Sequence, residues 1–183
     1  MSKTIAKKPE IRYELEMEGA KCNLAPLSFH VAEAALGFTF RQFPKMLQAG
    51  EILINSLWVS GSPRFKNNKD SFFFSRACLE AYKIIEMMEY RTTDETITVF
   101  GKHGKEFTCK LNKEIPRDVL EDALGLIKPN AGNPYPLTAG KMILEACWIE
   151  GAEEIKTDDE LLVPACLAAY YRIERKEASL KKL

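Results

Sequence analysis

The chain contains two histidines, His30 and His103, the residue type best suited to general acid–base catalysis near neutral pH. His30 lies at the predicted start of a helix and His103 in a predicted turn between two strands. Neither is spaced with other residues in the manner of a catalytic triad or a metal site. We therefore expect surface or capping roles for both histidines, and we predict no catalytic residue and no enzymatic activity.

Cysteines could act as nucleophiles, zinc ligands or disulfide partners. The five cysteines are Cys22, Cys78, Cys109, Cys147 and Cys166. An odd number without any C-x-x-C spacing argues against both a disulfide framework and a zinc site. We expect reduced cysteines that pack as small buried hydrophobic residues.

An acidic run near the C-terminus could in principle bind a hard cation. It consists of Glu153, Glu154, Asp158, Asp159 and Glu160. The run lacks the alternating oxygen ligands and the central glycine of a calcium loop. A glycine-rich phosphate loop is also absent, because Gly101 and Gly104 flank a turn between strands. We therefore predict neither a metal nor a cofactor, and we interpret the acidic run as a solvated loop and a helix start.

The charge balance bears on the class of partner. Among 183 residues, 26 Lys and Arg balance 26 Asp and Glu, so the whole molecule has no net field to attract nucleic acid or an anionic membrane. The start "MSKTIAKKPE" is not followed by an apolar run, and all apolar stretches are shorter than a bilayer span. We expect no membrane association, no direct nucleic-acid binding and no export.

The chain repeats itself. Three blocks of the first half align with the second half at offsets of 88, 90 and 88 residues, with 20 identities over 51 positions. About three identities would be expected by chance. The stretch "LINSLWVSG" from Leu53 corresponds to "ILEACWIEG" from Ile143, for example, and His30 aligns with Asp118. A tandem duplication is the best account of this pattern.

Each unit has the same predicted order of elements. An alternating apolar pattern around a glycine predicts a β-hairpin, near residues 11–24 and again near 95–111. A helix follows, which we expect to end at Gly37 or Gly125 in the left-handed C′ position. We expect a second helix to contain Trp58 or Trp148 and to end at the next glycine.

The last helix of each unit shows a buried stripe at steps of four, three and four. The stripe consists of Phe74, Cys78, Ala81 and Ile85 in the first unit and Leu162, Cys166, Ala169 and Ile173 in the second. The predicted fold class is therefore α+β and helix-rich, a tandem duplication of a β-hairpin plus three-helix unit. We place the units at residues 1–91 and 92–183, packed as one compact body.

The second unit resembles a known group of proteins. The cues are the apolar helix ending in "CWIEG", the acidic "EEIKTDDEL" and the closing "ASLKKL", over roughly the last quarter of the chain. These stretches are similar to the C-terminal part of small virion and tail-assembly proteins of bacteriophages that infect Bacteroidota. The resemblance implies a virion or tail-assembly component without enzymatic activity, and it brings no catalytic residues. The shorter proteins of this group have a single unit, so the doubling departs from their form.

The predicted function is that of a non-catalytic structural or assembly protein of a phage particle. Its expected partners are other phage structural proteins, further copies of itself in a homo-oligomer or ring, or both, and no small-molecule substrate. The expected location is the host cytoplasm during assembly, with incorporation into the virion as a further option. The alternative is a small intracellular enzyme or ligand-binding protein with a site between the two repeats.

Equivalent loops of the two units carry opposite charge, which suggests an interface. The first loop has Arg64, Lys66 and Lys69, and the second has Glu153, Glu154 and Asp158. Phe72 occupies the place of Glu160, outside the buried stripe, so it is a candidate apolar anchor. Drift of two solvated loops would produce the same charge difference.

Charge reversal tests this interface. If the basic loop of one subunit faces the acidic loop of the next, Glu153→Lys with Glu154→Lys abolishes assembly, because like charges then meet. Adding Arg64→Glu with Lys66→Glu restores part of it. Phe72→Ala weakens assembly without unfolding the monomer. Light scattering at high concentration and low salt measures each size, and an unchanged oligomeric size after charge reversal would show that the loops are ordinary surface.

Overall fold

The computed structural model describes residues 10–67, 71–128 and 132–174. The first unit begins with a hairpin of two strands, β1 (Tyr13–Met17) and β2 (Ala20–Leu24). Helices α1 (Phe29–Thr39) and α2 (Met46–Leu57) follow. A short strand, β3 (Trp58–Gly61), and a 3-10 turn, Pro63–Phe65, lead to the long helix α3 (Phe72–Glu86).

The second unit repeats this order with one addition. An extra strand, β4 (Tyr90–Thr92), precedes the hairpin of β5 (Thr96–Phe100) and β6 (Glu106–Leu111). Helices α4 (Arg117–Ile127) and α5 (Pro136–Cys147) and the strand β7 (Trp148–Gly151) come next. A short helix, α6 (Glu154–Thr157), stands in place of the 3-10 turn, and α7 (Asp159–Glu174) ends the described chain.

These elements form an α+β fold that is rich in helix, as predicted. The described residues form two antiparallel sheets, with strand orders β1-β2-β3 and β4-β5-β6-β7. Strand β4 pairs with β5 of the second sheet, so this strand spans the predicted unit boundary between residues 91 and 92. No helix in the described ranges is both long enough and apolar enough to span a bilayer.

The position predicted for the two tryptophans is wrong. Helices α2 and α5 end one residue before Trp58 and Trp148, and each tryptophan is the first residue of a strand. Strand β3 pairs with β2 and strand β7 pairs with β6, so each hairpin gains one strand from the segment that follows the second helix. The glycines Gly61 and Gly151 therefore end a strand instead of a helix, because the open hairpin edge offers main-chain hydrogen bonds that the helix end lacks.

The prediction that Gly37 and Gly125 end their helices is also wrong. Both lie inside a helix, α1 or α4, which continues for two more residues. The N–H of Phe40 and the hydroxyl of Thr39 both donate to the Leu36 carbonyl, which closes α1 without a left-handed glycine. Gly37 instead permits a close approach, since a Cβ there would lie 3.2 Å from the Pro134 carbonyl oxygen.

In each unit one glycine allows two long helices to pack closely, Gly50 in the first unit and Gly140 in the second. A Cβ built on Gly50 of α2 would lie 1.9 Å from the Cys78 carbonyl oxygen of α3, and one built on Gly140 of α5 would lie 1.9 Å from that of Cys166 in α7. Only glycine allows the backbones to approach this closely. The predicted stripes on α3 and α7 are buried at the resulting contacts, apart from Ile173, which is partly buried.

The two units are joined by α1, which packs against α5 and α7 of the second unit. The buried carboxylate of Glu33 in α1 accepts hydrogen bonds from the backbone N–H groups of Leu137 (2.9 Å) and Thr138 (2.8 Å) at the start of α5. In return, the Asp159 carboxylate at the start of α7 accepts from the Phe29 N–H (3.0 Å) at the start of α1. Each carboxylate satisfies helix N-terminal donors of the other unit.

Replacing Gly50 with alanine tests the helix contact. The added methyl group overlaps main-chain atoms that cannot rotate away, so Gly50→Ala is expected to reduce the free energy of unfolding by about 3 kcal/mol. Gly125→Ala is the matched control, because a Cβ there meets nothing within 4 Å. It replaces a helical glycine in open space and should stabilise the protein by up to about 1 kcal/mol. Urea unfolding measures both values, and equal effects would contradict the close backbone approach.

Candidate functional site

The basic loop that we predicted to be an interface makes contacts within its own unit. The Arg64 guanidinium forms an ion pair with Glu18 (3.1 Å) and stacks over the Phe73 ring at 4.0 Å from its centroid. The Lys66 ammonium lies over the Trp58 ring at 4.5 Å. Lys69 lies outside the described residues. The loop is exposed, and its two described basic residues have neighbours on the same chain.

The acidic loop is built in a similar way. Glu153 forms an ion pair with Lys156 (3.1 Å), whose ammonium lies 3.9 Å from the centroid of the Trp148 ring. The Asp158 carboxylate accepts from the N–H of Glu160 (3.0 Å) and caps the start of α7. Glu154 begins α6 and is exposed.

The two loops share a packing device. Lys66 and Lys156 occupy equivalent positions and cover equivalent tryptophans, and the residues just before them, Phe65 and Ile155, are fully buried. The lysine stems and ammonium groups shield the tryptophan rings from water. The loops thus close each sheet over its helices, and their use as an interface stays a prediction.

Phe72 is exposed, as its position outside the stripe predicts. Its side chain is 76% exposed at the first residue of α3, with the Arg76 guanidinium 5.8 Å from the ring centroid. Its counterpart Glu160 instead forms an ion pair with Arg12 (2.7 Å) of the first unit. The structure places Phe72 beside the basic loop, where an exposed ring is free to contact another protein.

The histidines lie on separate elements, and His103 stands between Gly101 and Gly104, which line the cleft described below. His30 is exposed in the first turn of α1, with its ring edge-on to Phe29. His103 is exposed in the β5–β6 turn and adopts a left-handed φ of 60°. Within the described ranges, no group of three His, Cys, Asp or Glu side chains is placed to hold a metal ion.

The cysteines are free thiols and all five are buried, which agrees with their predicted packing role. Burial raises the pKa of Cys22 and of Cys109 from the ordinary value of 9.0 to about 11. Burial also raises the pKa of the Cys147 and Cys166 thiols. Since the thiolate is the reactive form, these cysteines are poor nucleophiles at neutral pH.

A cleft of about 360 Å³ lies between the two units, lined by β1, the end of α3 and the start of α7. Its charged feature is the ion pair of Arg12 and Glu160, with Tyr13 beside it. Burial, and after it the Glu160 charge, raises the pKa of the Tyr13 hydroxyl, so the phenol stays protonated. A bound anion would have to displace Glu160 from Arg12 before it could use that guanidinium.

Sequence reasoning missed a set of exposed apolar side chains on the first unit. Phe43 precedes α2, Met46 and Leu47 lie in its first turn, and Leu79 lies on α3. On the second unit, Leu124 of α4 is exposed as well. A signal was present in the sequence, because Leu47 and Leu79 recur as Leu137 and Leu167 in the second copy. Identity between the copies marks these positions as packing positions.

The chain matches no family model, no curated protein and no solved structure. The resemblance of its last quarter to phage virion proteins therefore stays a prediction. What can be said of function depends on the geometry of the described residues, whose unusual feature is the exposed apolar set.

Thiol burial has a measurable consequence for alkaline stability. Above pH 9 the unfolded chain releases thiol protons that the native state retains, so stability is full below pH 9 and is lost as pH rises toward 11. Cys22 and Cys109 should each cost about 1.4 kcal/mol by pH 10. Comparing urea unfolding at pH 8 and pH 10, the Cys109→Ala variant should lose about 1.4 kcal/mol less than the parent protein. An equal loss in both would show that the native thiol ionises normally.

Proposed function

We propose that the protein is a non-catalytic component that acts through protein–protein contacts, in the virion or during tail assembly of a phage particle. The single observation that supports this most strongly is the set of exposed apolar side chains around α2, α3 and α4. Exposed clusters of large apolar residues are typical of surfaces that another protein covers. The phage setting comes from the resemblance in the last quarter of the chain.

The main chemical groups of the described chain are already engaged in packing. All five cysteines are buried, and the two histidines stand on separate exposed segments. The charged loops hold Lys66 and Lys156 over tryptophan rings. These features favour a scaffold whose outer surface carries the function.

The competing proposal is a ligand-binding protein or enzyme that uses the cleft between the units. The observation in its favour is the Arg12–Glu160 pair, which places a guanidinium in a concave site. Arg12→Gln removes that guanidinium and separates the two proposals. It should abolish function if the cleft is the site and leave a surface-based function intact.

The size of the protein's complex in producing cells tests the proposed function. Extracts are fractionated by size and the chain is detected by antibody. We expect it in a particle many times larger than one chain, and we expect Arg12→Gln to leave it there. The double variant Phe43→Asp with Phe72→Asp should release the chain from the particle, because it removes two exposed apolar rings. The variant should still fold, since an acidic residue at the start of α3 favours the helix.

The opposite pattern would overturn the proposal. A chain that elutes alone from the extract, together with loss of function in Arg12→Gln, would assign the function to the cleft. Thermal unfolding of each purified variant serves as the control for folding.

A further inference from the structure

We propose that the protein binds further copies of itself head to tail, and that this contact repeats between chains the contact that joins the two units within a chain. Face A, on the second unit, is formed by Glu121, Leu124 and Gly125 of α4. Face B, on the first unit, is formed by Pro44, Leu47, Leu79 and Tyr82 around α2 and α3. Face A of one chain would cover face B of the next.

The first step is the contact already present within the chain. Helix α1 of the first unit packs against α5 and α7 of the second. By the repeat, α4 is the counterpart of α1, and α2 and α3 are the counterparts of α5 and α7. In the described part of the chain, no comparable packing joins α4 to α2 or α3. The contact of α1 with α5 and α7 is therefore formed within the chain, whereas the equivalent surfaces of α4, α2 and α3 are available to another chain.

Exposure of identical leucines shows which surfaces are open. Each of three leucines is identical in the two copies, buried in one and exposed in the other. Leu36 is 2% exposed and its counterpart Leu124 is 39%; Leu137 is 0% and Leu47 is 45%; Leu167 is 7% and Leu79 is 45%. The three exposed leucines all lie on face A or face B.

Positions inside each unit provide the comparison. Their burial is the same in both copies, since Ala35 and Ala123, Ala49 and Ala139, and Cys78 and Cys166 are all at most 1% exposed. On the same helices, these positions are therefore equally buried in both copies, whereas the three leucines are not. An exposed leucine in a drifting surface has no reason to stay identical to a buried one, whereas a leucine in a second contact of the same kind does.

The polar part of the joint recurs as well. Glu33 accepts hydrogen bonds from two N–H groups at the start of α5, and its identical counterpart is Glu121 on α4. Glu121 is exposed and forms an ion pair with Arg117 on the same helix (2.9 Å), a surface pair that costs little to exchange. Helix α2 has no side-chain cap at its start. In the proposed contact Glu121 accepts from the N–H groups of Leu47 and Gln48 of the next chain.

Two further details fit the same contact. Gly37 of α1 lies against the Pro134 carbonyl, and the counterparts Gly125 and Pro44 are both exposed, with open space around Gly125. Within the chain Lys141 lies over the Phe29 ring at 5.6 Å. The counterparts of these two residues are Glu51 and Arg117, which carry opposite charges and would attract each other across the new contact.

Because faces A and B are different surfaces, a pair of chains joined by a single contact keeps one free face A on one chain and one free face B on the other. Such a heterologous contact produces a closed ring or an open stack, and does not stop at a symmetric dimer. This inference names the partner of the protein–protein role proposed above and rests on that role.

The decisive experiment blocks one face at a time. Leu124→Arg blocks face A and Leu47→Arg blocks face B, and both sites are exposed enough to accept arginine without unfolding. Purified parent protein should show a mass by light scattering that rises with concentration beyond two chains. Each blocked variant alone should be monomeric. An equimolar mixture of the two should form a 1:1 complex of two chains and nothing larger, since one free A face meets one free B face.

Ile149→Arg is the matched control, because Ile149 is also an exposed apolar residue but lies on β7, outside both faces. It should assemble like the parent protein. The inference is wrong if the parent protein is monomeric at high concentration, if a singly blocked variant still forms dimers, or if the mixture stays monomeric.

The two glutamates give an independent test. Glu121→Gln should weaken association about tenfold while the urea midpoint of the monomer is unchanged, because an amide is a weaker helix cap than a carboxylate. Glu33→Gln should instead lower the urea midpoint of the monomer. Equal association in Glu121→Gln and parent protein would contradict the proposed cap.

Failure here can be told apart from failure of the proposed function. A purified chain that stays monomeric while cell extracts hold it in a large particle would sink head-to-tail association and leave a role with other proteins. A monomer in both settings would sink both proposals.

Discussion

The fold depends on backbone contacts that only glycine permits. In each unit the two long helices lie so close that a carbonyl oxygen of one, at Cys78 or Cys166, occupies the space where a Cβ of the other would stand. Strands β3 and β7 pair with their hairpins through a similarly close approach, since a Cβ on Gly61 or Gly151 would overlap Cys22 or Cys109. The four cysteines at these contacts are all buried. The same packing sets the helix positions that carry the exposed leucines.

Local periodicity was sufficient to predict the hairpins, the order of elements and the buried stripes, because these depend on residues close in the chain. It failed at Trp58 and Trp148, where an apolar run continues without a polar break and helix and strand patterns look alike. The choice there depends on the free edge of β2 or β6, a tertiary constraint. The prediction failed at Gly37 for a similar reason, since that glycine packs against the carbonyl group of Pro134, which is 97 positions away along the chain.

The candidate surface shows the same limit. The opposite charges of the two loops suggested an interface. In the structure Arg64 pairs with Glu18, and Lys156 lies over the Trp148 ring. Neither contact can be predicted from the composition of the loops. The identities that mark faces A and B were visible in the aligned copies. Identity alone, however, does not separate a residue that is buried in both copies, such as Ala49, from one that is buried in only one copy, such as Leu47. Only the difference in burial between the copies separates them.

Two copies of a unit that join through two different faces leave one face of each kind uncovered. With two units in one chain, one A-type face meets one B-type face, and one of each is left over whatever the details of the packing. Closure would require a symmetric joint in which α4 packs on α2 and α3 while α1 packs on α5 and α7. Among the described residues, only the second of these contacts is formed to a comparable extent. Leftover faces that nothing covers would be expected to become polar. Glu80 on α3 is an example, since the equivalent position in the second copy is the buried Ala168. Leu47 on α2, Leu79 on α3 and Leu124 on α4 have stayed apolar. A contact that recurs between chains accounts for this difference from Glu80.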